Sequence, residues 1–207
     1  MIKNYIFDFG DVFINLDKSA SVKELEKLGL AEFTDEMIVK NQQYEKGLIT
    51  TDVFIAFYQT QFPKANKQEL IDAWNAILLD FPLYRLEFIE EFSKNNHCHL
   101  LSNINDLHLI YIKNMLGKEF YNRFLACFDN VFYSHEIKLR KPDISIYNYV
   151  FKEINAKANT CFFIDDTQEN TIAAENLGLK SWNINPMEDD IILLNDILEF
   201  NKIYSQS

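Results

Sequence analysis

The sequence predicts an α/β fold in which a doubly wound, parallel, Rossmann-like sheet carries an inserted four-helix cap. From residue 83 onward, short apolar runs alternate with segments of helical periodicity. That alternation is typical of parallel strands with helices on both faces. Between the first apolar run and residue 83 the periodicity is helical throughout. Because this stretch is too long for one crossover connection, it predicts a separate helical insertion.

The first strand is predicted in the run Tyr5-Ile6-Phe7-Asp8, just before the turn at Gly10. Strands buried on both faces read as short continuous apolar runs. Open α/β sheets bind ligands just beyond the carboxyl ends of their strands. Asp8 is therefore a candidate reactive group.

The insertion is predicted to form a helical cap domain over residues 17–82, with residues 1–16 and 83–207 as the α/β core domain. Gly29 and Gly47 end the first two helices, and Thr50, Thr51 and Asp52 are the candidates to cap the third. Aromatic side chains recur at helical spacing and are predicted to pack inside the bundle, with the lining of a substrate pocket as the alternative. The predicted helices are 18–29, 35–46, 51–62 and 67–79, and the aromatic residues are Phe54, Phe57, Tyr58, Phe62 and Trp74.

The rest of the chain alternates between helix and strand. The predicted order is helix 83–95, strand 98–102, helix 106–117, strand 128–133, helix 143–154, strand 160–165, helix 169–177, strand 180–184 and a last amphipathic helix over 188–200.

Composition limits the classes of partner. The chain has 207 residues, 48% of them apolar, and a net charge of −11. This acidity argues against a nucleic-acid partner, since binding to nucleic acid depends on basic residues. Neither a leader-like segment nor an apolar run of membrane-spanning length is seen, so we expect no membrane partner and a cytoplasmic protein. A monomer or weak homodimer is expected.

The cysteines Cys98, Cys127 and Cys161 are odd in number and far apart, which predicts buried free thiols in a reducing compartment. The cluster His97-Cys98-His99 is a weak metal motif, because alternation along a strand sends its side chains to opposite faces.

Four strand-like runs end in residues suited to phosphate or a metal ion. Ser102 and Asn103 offer hydroxyl and amide groups, while Lys141 offers a cation. The adjacent acids Asp165 and Asp166 repel each other unless a cation lies between them, although capping of the following helix is an alternative role. The set consists of Asp8, Ser102-Asn103, Lys141 and Asp165-Asp166.

Taken in this order, the four segments resemble the haloacid dehalogenase superfamily over roughly residues 4 to 185. The resemblance implies that Asp8 attacks phosphorus and forms an aspartyl-phosphate. It implies a Mg²⁺ ion held by the Asp8 carboxylate, the Gly10 carbonyl and Asp166, with Asp165 nearby. Mg²⁺ also suits such hard oxygen ligands on physical grounds.

The resemblance also implies that the remaining predicted site residues contact the phosphate. Lys141 reaches both the nucleophile and the phosphate, and Ser102 and Asn103 bind phosphate oxygens. We expect Arg140 and Lys138 to stay outside the site.

The pattern departs from the family at Gly10, where most of its phosphatases carry a second Asp as the acid and base; Asp11 comes one residue later. The stretches 7–12 and 44–50 resemble a helical-cap subgroup that includes sugar-1-phosphate phosphatases. A hemiacetal leaving group is less basic than an alkoxide, so a weaker acid or water then suffices. Glu45 and Lys46, at the end of a cap helix, are candidates to contact the sugar or are a solvated helix end.

The sequence thus predicts a Mg²⁺-dependent phosphatase of small phosphorylated metabolites, with sugar phosphates as the preferred class. One alternative is a 2-haloacid dehalogenase, which uses the same Asp without metal but leaves Asp165 and Asp166 without a cation. A phosphosugar mutase is disfavoured by the missing second Asp. The other alternative is a non-catalytic protein that binds phosphate and Mg²⁺.

Overall fold

The computed structural model describes residues 2–204, with side chains described through residue 200. Within that part of the chain, five parallel strands form one sheet in the order β3-β2-β1-β4-β5. The predicted doubly wound parallel sheet is confirmed. The strands are β1 (Asn4–Phe7), β2 (His97–Ser102), β3 (Asn130–Tyr133), β4 (Cys161–Asp165) and β5 (Lys180–Asn183).

The central position of β1 brings the ends of three strands together. Phe7 is in register with Leu100 of β2 and with Ile164 of β4. The Asp8 backbone N–H then donates to the Ile164 carbonyl at 2.8 Å. Asp8 therefore leaves the sheet between the carboxyl ends of β2 and β4.

The insertion between β1 and β2 is helical, as predicted. Thr34 and Thr50 accept hydrogen bonds from backbone N–H groups in the first turns of their helices, and Asn66 forms a capping box with Glu69. The helices are α1 (Ala20–Lys27), α2 (Asp35–Glu45), α3 (Thr51–Gln61) and α4 (Lys67–Asn75).

The cap has its own cluster of buried side chains, which Leu107 of the core joins. Of the aromatic residues predicted to pack there, Phe54, Tyr58 and Phe62 are buried, while Phe57 and Trp74 pack against the cluster and are partly buried. The division into domains at residues 16/17 and 82/83 stays a prediction.

The core helices cover both faces of the sheet. Phe7 belongs to the buried cluster on one face, and Ile6 to the cluster on the other. Cys98, Cys127 and Cys161 are free and buried. The helices are α5 (Leu83–Phe92), α6 (Asp106–Leu125), α7 (Ser134–Ile137), α8 (Ile144–Glu153), α9 (Gln168–Asn176) and α10 (Leu194–Tyr204), with 3₁₀ turns at Ala158–Thr160 and Ile191–Leu193.

The prediction of a helix over 67–79 is wrong at its end, since α4 stops at Asn75. Leu78 instead bridges Leu16 in antiparallel fashion, and Asn15 exchanges backbone hydrogen bonds with the segment at Leu79 and Asp80. The apolar spacing continues the helical pattern, but these residues pair as the two connections between core and cap. The backbone groups are satisfied in that pairing instead of in a helix.

Other helix boundaries also differ from the sequence predictions. The helix predicted over 106–117 continues to Leu125 beyond a break at Gly117, whose φ is +74°. The helix predicted over 188–200 begins only at Leu194, because the Asp190 side chain accepts from the Ile192 N–H and pairs with Arg85 at 2.9 Å. No helix in the described part of the chain is both long and apolar enough to cross a membrane.

Candidate active site

A buried ion pair forms the centre of the site. The Lys141 Nζ lies 2.7 Å from Asp8 Oδ1 and 2.6 Å from Asp165 Oδ2, and it also donates to the Leu101 carbonyl at 2.9 Å. The Lys141 side chain is 1% exposed. A lysine this deeply buried needs anions and carbonyl oxygens in place of the water that would hydrate its ammonium group. Asp8 and Lys141, which the sequence predicted for the site, are thus in direct contact.

Asp165 is fully buried, and both its carboxylate oxygens have partners. Oδ1 accepts from the Thr167 N–H at 2.8 Å, and the Asn170 amide donates to both oxygens at 3.0 and 3.1 Å. With Lys141 on Oδ2, the carboxylate is held in one orientation. Asp165 thus stabilises the turn before α9, in addition to its place in the acidic cluster. The alternative role of capping that helix is not seen, since the N-cap of α9 is Thr167 and has no side-chain cap bond within the described residues.

Asp166 faces a different cation. Lys18 Nζ lies 2.5 Å from Asp166 Oδ2 and 3.1 Å from Asp11 Oδ2. The Asp11 Oδ1 accepts from the Leu16 N–H at 3.0 Å, and Asp11 itself has a left-handed φ of +53°. The Asp11 carboxylate is therefore held by the turn and by Lys18.

Asn103 binds the backbone of Lys141 instead of presenting a free side chain to a ligand. Its amide donates to the Lys141 carbonyl at 2.9 Å, and its Oδ1 accepts from the Lys141 N–H at 2.9 Å. Ser102 is buried, and its hydroxyl has no hydrogen-bond partner among the described residues. Asn105 caps α6 by accepting a hydrogen bond from the His108 N–H.

Position 10 lies close to the Leu16 side chain. A Cβ there would lie 2.8 Å from Leu16 Cδ1, the end of a flexible side chain. An aspartate at Gly10 would therefore require only Leu16 to adopt another side-chain position.

Glu45 and Lys46 are both engaged in ion pairs with the segment that carries Lys141. Glu45 Oε2 accepts from Arg140 Nε at 2.9 Å, and Lys46 Nζ lies 2.8 Å from Asp143 Oδ2. Glu45 and Arg140 line the large cavity between cap and core, and the expectation that Arg140 stays outside the phosphate site stays a prediction. A sugar contact by Glu45 or Lys46 stays a prediction.

The charges around Asp8 are unbalanced. Burial is the largest effect and raises the pKa of Asp8 to about 7; Lys141 acts in the opposite direction, and Asp165 and Asp166 raise it further. Burial also raises the pKa of Asp166, against the effect of Lys18. Burial alone would lower the pKa of Lys141, but Asp165 and Asp8 outweigh it and keep the ammonium charged.

The donor set fits a hard divalent cation. One carboxylate oxygen each from Asp8, Asp165 and Asp166 lies within 4.8 Å of the others. Carboxylate oxygens are the ligands that Mg²⁺ prefers, and a divalent ion would offset the raised pKa of Asp8. Since Asp165 is already held by Lys141 and Asn170, Asp8 and Asp166 have the oxygens best placed for an ion.

A model of the haloacid dehalogenase-like hydrolase family matches residues 2–178, a range that includes every residue of the candidate site. The chain belongs to the haloacid dehalogenase-like hydrolases. The family predicted from the four segments is confirmed, and so is the expectation of an enzyme.

Known relatives have a similar length and fold. The D-ribitol-5-phosphate phosphatase of Bacteroides thetaiotaomicron is 26% identical over 193 residues, 88% of this chain and 91% of that protein. A haloacid dehalogenase family enzyme of Bacteroides thetaiotaomicron, solved with magnesium and inorganic phosphate, is 29% identical with a TM-score of 0.80, covering 91% of this chain and 97% of that one. A family hydrolase of Porphyromonas gingivalis is 25% identical with a TM-score of 0.79, covering 96% and 98%.

Sequence reasoning missed three residues that organise the site. Lys18 bridges Asp11 and Asp166, Asn170 orients Asp165, and Arg140 pairs with the cap. The role of Asn170 could have been inferred from the sequence, because Asn170 lies on the first turn of the helix that follows Asp165. Lys18 and Arg140 gave no signal, since their partners are far away in the sequence.

Proposed function

We propose that the chain is a Mg²⁺-dependent phosphatase of small phosphorylated metabolites and that Asp8 is its nucleophile. The observation that carries the proposal is the carboxylate cluster of Asp8, Asp165 and Asp166 around a fully buried Lys141. The magnesium and phosphate bound by the enzyme of Bacteroides thetaiotaomicron support it.

In the proposed reaction the Asp8 carboxylate attacks phosphorus, the bond from phosphorus to the alcohol oxygen breaks, and the alcohol leaves with a proton. Water then hydrolyses the aspartyl-phosphate and returns free Asp8. Mg²⁺, held by Asp8, Asp166 and the Gly10 carbonyl, supplies charge neutralisation between the carboxylate and the phosphate. Asp165 is the further candidate ligand beside it.

The other residues position these groups. Lys141 holds Asp8 through its 2.7 Å contact and offers a positive charge to the phosphate. Asn103 fixes the Lys141 backbone, and the Ser102 hydroxyl is proposed to donate to a phosphate oxygen. Because the Asp11 carboxylate is engaged by Leu16 and Lys18, the leaving alcohol takes its proton from water in this proposal.

The test is phosphate release from a panel of sugar 1-phosphates, sugar-alcohol phosphates, nucleotides, simple alkyl phosphates and p-nitrophenyl phosphate, with Mg²⁺ or with EDTA. Release that requires Mg²⁺ supports the phosphatase. Halide release from 2-haloacids without metal would favour the dehalogenase. Phosphate binding without turnover of any compound would favour the non-catalytic alternative. Sugar phosphates stay a prediction that the panel tests directly.

A further inference from the structure

The cavity between cap and core lies next to the candidate active site. It has a volume of about 480 Å³, which is within the range of sites that bind small organic ligands. A smaller cavity of about 150 Å³ reaches Gly10 and Ser102. Both cavities are lined by Glu45, Ile77 and His108. An alcohol attached to a phosphate at Asp8 would therefore extend past these residues into the cap.

One wall of the large cavity is aromatic. Phe33, Phe54 and Trp74 all line it, and the Trp74 ring lies 5.2 Å from Phe54 and 6.4 Å from Phe33. Val22 and Ile38 extend the apolar surface. Such a wall binds flat or hydrocarbon groups through area burial and stacking.

Most polar groups that line this cavity already have protein partners. Ser21 Oγ donates to the Trp74 carbonyl at 3.0 Å, and His108 Nε2 contacts the same oxygen at 3.0 Å. The Tyr44 hydroxyl contacts Thr51 and the Leu107 N–H.

Several lining groups keep free hydrogen-bonding capacity. Glu45 and Arg140 pair through Oε2 and Nε, and among the described residues Glu45 Oε1 and the terminal N–H groups of Arg140 have no further side-chain partner. The Asn41 Oδ1 accepts from Tyr58, which leaves its amide N–H groups, and in the described part of the chain the Gln42 side chain and the buried Trp74 Nε1 have no hydrogen-bond partner. These groups can meet the polar part of an alcohol, while the aromatic wall is left for an apolar part.

We infer that the substrate is a phosphate monoester of an alcohol with an aromatic or hydrocarbon part that packs on Phe33 and Trp74. This inference rests on the proposed phosphatase function and narrows its substrate class to alcohols with such an apolar part. Asn41, Gln42, Glu45 and Arg140 accommodate the polar groups that the alcohol carries.

The test compares 2-phenylethyl phosphate with ribitol 5-phosphate. Both are phosphates of primary alcohols, so their leaving groups are chemically alike and they differ in the part that enters the cap. We expect a higher kcat/KM for 2-phenylethyl phosphate. In Phe33→Asn the ratio of the two kcat/KM values should fall about tenfold, because the ring contact is lost. Phe57→Asn is the matched control, since Phe57 is a half-buried cap aromatic that does not line the cavity, and its ratio should equal that of the wild type.

Binding of both esters to Asp8→Asn in the presence of Mg²⁺, measured by calorimetry, separates this inference from the proposed reaction. Tighter binding of 2-phenylethyl phosphate without any turnover by the wild type would contradict only the reaction. A preference for ribitol 5-phosphate in either experiment, or a ratio that Phe33→Asn leaves unchanged, would overturn the inference.

Discussion

Lys141 is the residue on which the electrostatics of the site depend. Its ammonium is removed from water and balanced by Asp8 and Asp165. Removing one partner of a buried ion pair leaves an uncompensated buried charge. This destabilises the folded protein much more than replacing the whole pair with apolar residues does. The lysine therefore has a structural effect as well as the proposed catalytic one.

We predict that Lys141→Met lowers the free energy of unfolding by about 3–5 kcal/mol, because two buried carboxylates lose their cation. Urea denaturation without metal measures this. Lys94→Met is the control: Lys94 pairs with Glu91 at the surface, and its loss should leave the free energy of unfolding nearly unchanged. Equal effects of the two substitutions would contradict the assigned burial.

His108 predicts a pH dependence of stability. Its Nε2 lies 3.0 Å from the Trp74 carbonyl and its Nδ1 lies 3.3 Å from the Asn105 amide nitrogen. Asn105 is fixed by its capping bond to the His108 N–H, so the neutral ring with the proton on Nε2 fits both contacts. Burial is the largest effect and lowers the pKa of His108 to about 4.

The unfolded chain therefore binds more protons than the folded protein between pH 6.5 and about 4. The contribution of His108 is fully present above pH 6.5 and is lost as the pH falls through this window. At pH 5 the loss should be about 2 kcal/mol more for the wild type than for His108→Gln. Urea denaturation at pH 7.5 and pH 5 measures the difference, and parallel losses in the two proteins would argue against a neutral His108.

At the scale of elements, the end of α2 is docked tightly on α7. Gly47 has a φ of +58°, and a Cβ there would lie 2.1 Å from the His135 carbonyl oxygen. The Lys138 ammonium also donates to the Gly47 carbonyl at 2.6 Å. The ion pairs of Glu45 and Lys46 lie in the same contact, so this one turn joins the cap to the segment that carries Lys141.

We predict that Gly47→Ala destabilises the protein by about 2 kcal/mol more than Gly29→Ala, because overpacking against the core adds to the backbone strain. Both positions have positive φ, and a Cβ at Gly29 meets no atom within 4 Å. Gly29→Ala therefore reports the backbone strain alone, roughly 1–2 kcal/mol, whereas Gly47→Ala adds a steric clash with the core. Thermal or urea denaturation measures both, and similar losses would contradict the close contact at His135.

The strands were predictable because each one is a short apolar run followed by polar residues. Phe162 to Ile164 ends at Asp165, and Leu100 and Leu101 end at Ser102. The helix predicted over 67–79 was too long because Ile77 to Leu79 keep a helical apolar spacing. Their pairing with residues 15–17 is a long-range contact that local periodicity does not encode.

At the scale of the whole molecule, the site assembles from groups that are far apart in sequence. The sequence predicted Asp8 and Asp166 because each follows a strand, and the ends of parallel strands meet at one edge. It predicted Lys141 only from its place in the ordered set that resembles the family. It did not predict that Lys18 meets Asp166 or that Glu45 meets Arg140. Those contacts depend on how the cap packs on the core, which no motif specifies.

Magnesium binding is predicted to stabilise the whole protein. An ion that binds only the folded state, at a concentration 100 times its dissociation constant, adds about 2.7 kcal/mol to the free energy of unfolding. The Tm should therefore rise with Mg²⁺ and fall back to its metal-free value when EDTA is added. Asp166→Asn should remove most of this shift, because it deletes a proposed ligand. Asp129→Asn, a change at an exposed acid that pairs with His97, should leave it intact. A shift that Asp166→Asn does not reduce would place the ion elsewhere.

The most direct test of the proposed mechanism is to locate the covalent intermediate. The protein is mixed with Mg²⁺ and a substrate from the phosphate-release panel, quenched in acid, digested and examined by peptide mass spectrometry. We predict a phosphoryl group on Asp8, absent with EDTA, and no phosphate release by Asp8→Asn. Because Lys141 keeps Asp165 as a partner in that variant, it should remain folded. A phosphoryl group on another residue, or phosphate release by Asp8→Asn at the wild-type rate, would contradict the assignment of Asp8 as the nucleophile.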